Sequence, residues 1–332
     1  MIIAGAGIIG LSCAWKLALC KIPVTVFDAS EAGSEASWAG AGMLAPGGEM
    51  EEPSPLTEMA LRSLSKYPIF VEALREESGI DIDFRQCGAI EVALSDDEAM
   101  ELEQRAQRQV AIGIRSESIR YRGTMYARSY PDDAIVDPRQ VVAALRKACI
   151  AHGVTIHEQE RVVEILNRGA GVRTARGEYQ DDGVLIAAGA WSSDLASRFE
   201  LPAAIPVRGH LISWNAQPGT LATILRHENT YLLQRTSGAL VGGTSTERVG
   251  FDRTIDEVAV EGIRARACRL LPELAQLQPA ERWVGFRPGV EGELPAIGRV
   301  DGTRIWTAYG HYRNGILLAP ETADSIVESV IA

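Results

Sequence analysis

The chain has 332 residues, 46% of them hydrophobic and 23% charged, a balance typical of globular proteins and unlike disordered, collagen-like or repetitive chains. A net charge of −11 argues against a nucleic-acid surface, which needs clustered Lys and Arg. Five cysteines (Cys13, Cys20, Cys87, Cys149 and Cys268) form no CxxC pair and no zinc-type cluster, so free thiols, a reducing compartment and no metal are expected.

The N-terminal residues 1–20 are apolar, but no basic stretch precedes them and glycines interrupt the run. No other stretch reaches membrane-spanning length, so a cytoplasmic protein with no membrane partner is expected. Met1–Ala4 reads as a strand, Leu11–Cys20 as a helix, and Val24–Phe27 as a second strand ending in Asp28. Between the first two lies Gly5-Ala6-Gly7-Ile8-Ile9-Gly10, the dinucleotide fingerprint in its strand–turn–helix context. Gly5 permits the tight turn, Gly7 lets backbone approach a pyrophosphate, and Gly10 lets the helix pack on the strands. The helix N-terminus offers free N–H groups to the phosphates. Asp28 is placed to accept from ribose hydroxyls and would repel a 2′-phosphate, which disfavours NADP. The fingerprint leaves NAD and FAD open. Residues 29–46 then form a run of small residues, which lets backbone come close to an extended ligand, where a nicotinamide enzyme more often continues into another βα unit.

Further along, residues 55–78 and 96–110 read as helices flanking a strand at 88–94. Asp137-Pro138 opens a helix reaching about His152, with Asp137 as N-cap and Pro138 at its first position. Residues 154–156, 162–166 and 172–175 suggest a β-meander. Residues 184–191 read as a buried strand whose Ala188-Gly189-Ala190-Trp191 end places backbone beside a ligand. Strands at 207–214, 230–234 and 240–243 suggest an antiparallel sheet, and 255–271 a helix. The pattern returns to α/β with a strand at 305–308 and a helix at 313–330. The expected fold is therefore α/β, with a Rossmann-type dinucleotide domain interleaved with an antiparallel-sheet α+β substrate domain.

Two late segments sharpen the reading: residues 283–298, Trp-Val-Gly-Phe-Arg-Pro-Gly-Val-Glu-Gly-Glu-Leu-Pro-Ala-Ile-Gly, and residues 310–320, Gly-His-Tyr-Arg-Asn-Gly-Ile-Leu-Leu-Ala-Pro. With the fingerprint, they resemble the D-amino-acid-oxidase-like flavoprotein superfamily, and within it the glycine oxidases of thiamine biosynthesis. The resemblance runs from Ile2 to about Ile331. It implies non-covalent FAD in a glutathione-reductase-like domain made of residues 1–80, 136–205 and 284–332, with a substrate domain of 81–135 and 206–283. It places Ile8 and Ile9 at the pyrophosphate turn, and Asp28 with Ala29 at the ribose. Ala36, Ser37, Ala41, Gly42 and Met43 would wrap the flavin, and Val162 would hold the adenine. Gly310, His311, Tyr312, Arg313, Asn314, Gly315, Ile316 and Leu317 would pass the isoalloxazine.

The resemblance further makes Arg287 the anchor of a substrate carboxylate, with Arg313, Tyr231 and Met43 as additional substrate contacts. A guanidinium suits a carboxylate because it offers two parallel N–H donors. The implied reaction is hydride transfer from Cα to flavin N5 without a further catalytic side chain, then imine hydrolysis and reoxidation by molecular oxygen. A homotetramer is expected. The strip Glu228-Asn229-Thr230 lacks the histidine some relatives carry there, and His210 stands where they have Gln or Glu, which leaves glycine, sarcosine and larger D-amino acids open. A dehydrogenase also stays open, as does a flavin domain in tRNA modification, against which the acidic balance speaks.

Overall fold

The computed structural model describes every residue except Met125 and Glu293, the latter within the 283–298 segment read above. Its first sheet has six strands in the order Ala296–Arg299, Ile305–Tyr309, Val184–Ile186, Ile2–Ala4, Thr25–Phe27 and Thr155–His157. All neighbours are parallel except the antiparallel edge pair Ala296–Arg299 with Ile305–Tyr309. Alternate residues serve two cores, as a pleated strand requires. Ile3 and Leu185 face a layer of helices, whereas Ile2, Ala4, Val184 and Ile186 face the small sheet Val162–Leu166, Gly171–Thr174 and Glu178–Gln180.

In the helical layer, Ile8–Leu19 packs against Pro138–Ala151 and Gly315–Ile331, and Pro55–Ser78 packs against the same two. The caps explain where these helices start. Ser54 Oγ accepts from Thr57 N at 3.1 Å and Asp137 Oδ1 from Arg139 N at 3.0 Å, each followed by proline at the first turn.

A second sheet of eight strands runs Pro279–Val290, Ala204–Asn215, Ala239–Gly243, Thr230–Gln234, Ile224–His227, Ala89–Ala93, Tyr126–Tyr130 and Glu117–Ile119. It is antiparallel except where Ile224–His227 meets Ala89–Ala93 in parallel. One face carries Ile212, Trp214, Leu232 and Leu240 against the helix Glu257–Leu270. The opposite face, with Leu211, Tyr231 and Val241, joins the core of the first sheet.

Three expectations change. The helix at the fingerprint begins at Ile8, not Leu11, because Ser37 caps its first amide from a distance. Residues 155–157 join no meander; they pair in parallel with Thr25–Phe27 as the far edge of the first sheet. The strand expected over 184–191 ends at Ile186, and Gly189–Trp191 is a 3-10 turn. Arg287 lies inside a twelve-residue strand, Pro279–Val290.

A candidate cofactor and substrate cavity

A cavity of about 600 Å³ lies between the carboxyl ends of the parallel strands and the inner face of the eight-stranded sheet. Gly5 and Gly7 line its first end with Ile8, Ile9, Asp28, Ala29 and Val162. Gly5 has φ +114°, and a Cβ there would overlap the Ala187 carbonyl, so the turn tolerates no side chain. The helix Ile8–Leu19 has no cap of its own; Ser37 Oγ accepts from Ile8 N at 2.9 Å. Its remaining first-turn amides belong to the set that a helix leaves unpaired, which suits an anion.

Asp28 holds this turn together, accepting from Ala6 N at 2.7 Å and Ser30 N at 2.8 Å. Burial raises its carboxyl above the usual range, against the pull of those two amides. Its oxygens keep lone pairs for a diol, since each accepts one bond here.

The middle of the cavity is lined by Ala36, Ser37, Ala41, Gly42 and Met43 on one side and by Ala188, Gly189 and Trp191 on another. Gly42 has φ +86°, and a Cβ there would overlap the Val136 carbonyl. Trp191 stacks on Phe251 at 4.6 Å. Across from them come His311, Tyr312, Arg313, Asn314, Gly315 and Ile316, at the start of the last helix. Tyr67 fixes that start by donating to the Ile316 carbonyl at 2.5 Å. No side chain caps the helix, so its first-turn amides can meet an electron-rich ring edge. His311 is buried with Nε2 3.0 Å from Thr322 Oγ1; burial lowers its pKa to about 3, so it stays neutral.

Three expected residues stand back from the cavity. Gly10 packs against the Gly5 carbonyl, where a Cβ would overlap it. A Cβ on Gly310 would lie 2.5 Å from Val290, and Leu317 is core, its carbonyl accepting from Ser63 Oγ at 2.6 Å. These three act through packing.

Tyr231 and Arg287 line the far end, where Tyr231 feels both Arg287 and Arg313, and Met43 lines the same cavity. Arg287 donates to Thr244 Oγ1 at 2.6 Å and to the Ser245 carbonyl at 3.2 Å. The opposite strand carries Gly209, where any Cβ would run into the guanidinium. Tyr231 is pushed up to about 12 by burial, partly offset by Arg287, so its hydroxyl remains a donor.

Sequence reasoning missed the charges around them. Glu49 pairs with Arg313 at 2.5 Å, Arg226 with Asp133 at 2.8 Å, and Arg105 with Glu91 at 2.5 Å. Burial raises the Glu49 carboxyl, with Arg313 pulling the other way. Among the described residues, Arg287 alone of the cavity's arginines faces no carboxylate; Arg161 and Arg253 pair with Asp194 and Glu35. No local pattern marks this network, because its six members come from six separate stretches of chain.

The chain is 35% identical to glycine oxidase of Pseudomonas aeruginosa, covering 96% of this chain and 91% of that protein. It is 34% identical to the bifunctional protein ThiO/ThiG of a Synechocystis species, over 100% of this chain and 51% of that one. The crystal structure of glycine oxidase from Geobacillus kaustophilus superposes with a TM-score of 0.94 at 31% identity, covering 98% and 94% of the two chains. The family pattern described as DAO, FAD dependent oxidoreductase, matches residues 1–329. The glycine-lined turn, the carboxylate at Asp28 and the free amides of two helix starts fit that cofactor, and the chain belongs to the DAO family of FAD-dependent oxidoreductases.

Proposed function

We propose that the protein oxidises glycine and other small amino acids at the C–N bond, giving an imine that water converts to a 2-oxo acid and ammonia. The observation that carries this reading is Arg287, a guanidinium without a carboxylate partner that lines the cavity together with Tyr231. The substrate carboxylate takes two donors from Arg287 and one from Tyr231, which points Cα toward the middle of the cavity. Thr244 and Ser245 hold the guanidinium in place, so little side-chain freedom is lost on binding.

FAD, when bound, would supply the two-electron oxidation of the substrate at Cα, with molecular oxygen as the final acceptor, reduced to hydrogen peroxide. The residues proposed to hold it are Gly5 to Ile9, Asp28, Ala29, Ser37, the 40–43 segment and the start of the last helix. No side chain is assigned as proton acceptor: His311 is sealed against Thr322, and the amine enters already neutral. Turnover is therefore expected to rise with pH through the alkaline range.

We also propose that the two large sheets mark the cofactor and substrate parts, with all of Pro279–Val290 counted in the latter. Similarity to the glycine oxidases and to ThiO/ThiG supports a place in making the thiazole of thiamine; a homotetramer is proposed as well, which light scattering would read. The test of the reaction is oxygen uptake with glycine, sarcosine, D-alanine and D-proline, coupled to peroxide detection. Uptake with matching peroxide supports the reading. Consumption of none of them removes it, and flavin bleaching without peroxide in air makes the protein a dehydrogenase.

A further inference from the structure

The 46–50 segment is fixed more firmly than a surface turn needs. Gly47 N donates to Asp133 Oδ1 at 3.0 Å, and Gln109 Nε2 donates to the carbonyls of Gly47 at 2.8 Å and Met50 at 2.7 Å. Gly48 rests on the Arg226 guanidinium, where a Cβ would lie 2.5 Å from Cζ. Arg226 is itself held by Asp133 and is the cross-strand neighbour of Tyr231. Glu49 is thereby delivered to the substrate end of the cavity, and there it meets Arg313.

We propose that Glu49 is a specificity-determining residue: by neutralising Arg313 it leaves Arg287 as the one free guanidinium and restricts the cavity to amino acids with a single carboxylate. This rests on the reading of the cavity as an amino-acid site. Arg313 makes no other ion pair among the described residues, whereas Arg226 keeps Asp133 and Glu91 whatever happens at Glu49. Arg287, Arg313 and Tyr231 line the same cavity, and Tyr231 lies in the field of both cations. A second carboxylate entering the wild-type cavity competes with Glu49 for Arg313 and meets its negative charge. Without that charge, Arg313 becomes a second anchor.

The experiment titrates the FAD-loaded enzyme with acetate and with malonate, read by the change in flavin absorption, for wild type, Glu49→Gln and Glu49→Gln/Arg313→Met. Glu49→Gln is expected to raise malonate affinity relative to acetate by about tenfold or more, the worth of one charge-assisted hydrogen bond. The double variant is expected to lose that gain, and Glu49→Asp to behave as wild type. In turnover, kcat/KM for iminodiacetate relative to sarcosine, which differ by one carboxylate, should rise in Glu49→Gln mainly through KM. Glu49→Ser gives the same reading should Glu49→Gln fail to retain flavin. An unchanged malonate-to-acetate ratio overturns the proposal, as does a gain that survives loss of Arg313. Failure of the underlying reading looks different: wild type itself would neither bind acetate nor oxidise any amino acid.

Discussion

Arg287 owes its availability to what surrounds it: a hydroxyl and a carbonyl orient the guanidinium without neutralising it. Replacing it by methionine should leave bound FAD unchanged and raise KM for glycine roughly ten- to hundredfold, the loss of one charge-assisted contact. Steady-state kinetics beside the flavin spectrum checks both halves. His311 makes a different prediction. Its folded pKa of about 3 lies below the usual value near 6.5, so the unfolded chain takes up the proton first. The stability it contributes is complete above pH 6.5 and drains away as pH falls toward 3. By pH 4.5 the loss from this one residue is about 2–3 kcal/mol. Urea unfolding of His311→Gln should show a correspondingly shallower acid decline than wild type.

Elements decide how the cofactor end is built. The helix Ile8–Leu19 borrows its cap from Ser37, almost thirty residues away, so Ser37→Ala should cost about 0.5–2 kcal/mol and weaken FAD binding together. Fluorescence titration of FAD into the apoprotein reads the second effect. Gly5→Ala should be harsher, because it combines φ +114° with overlap on Ala187, and little flavin should copurify with it. These elements were legible from sequence because their signals are local: the fingerprint, Ser54 before Pro55, and Asp137 before Pro138. Strand partnership was not. Thr155–His157 looks like the first arm of a meander because only a partner 130 residues earlier makes it a parallel edge. Ile224–His227, with Arg226 on it, went unread since a four-residue strand gives too little alternation to stand out.

At the scale of the molecule, the cavity exists only because two sheets face each other across it, and strands from both ends of the chain meet there. The fingerprint turn and Asp28, which line its first end, could be read in advance because their signals are local. Its charge network could not: Glu49, Glu91, Arg105, Asp133 and Arg226 converge through tertiary packing alone. A cavity of this size between the sheets predicts that FAD binds the folded chain and not the unfolded one. The melting temperature should therefore rise with added FAD, by the equivalent of about 2.7 kcal/mol at a hundredfold excess over Kd. A melt of apoprotein with and without FAD measures it.

The central claim is that a small amino acid, anchored by Arg287, reduces the bound flavin. Its most direct test is the absorption spectrum of the holoenzyme mixed with glycine in the absence of oxygen. The account predicts bleaching of the flavin band in wild type, markedly weaker or slower in Arg287→Met at the same glycine concentration. A flavin band that persists in wild type with glycine, sarcosine and D-alanine alike, or one that bleaches equally in both proteins, would contradict it.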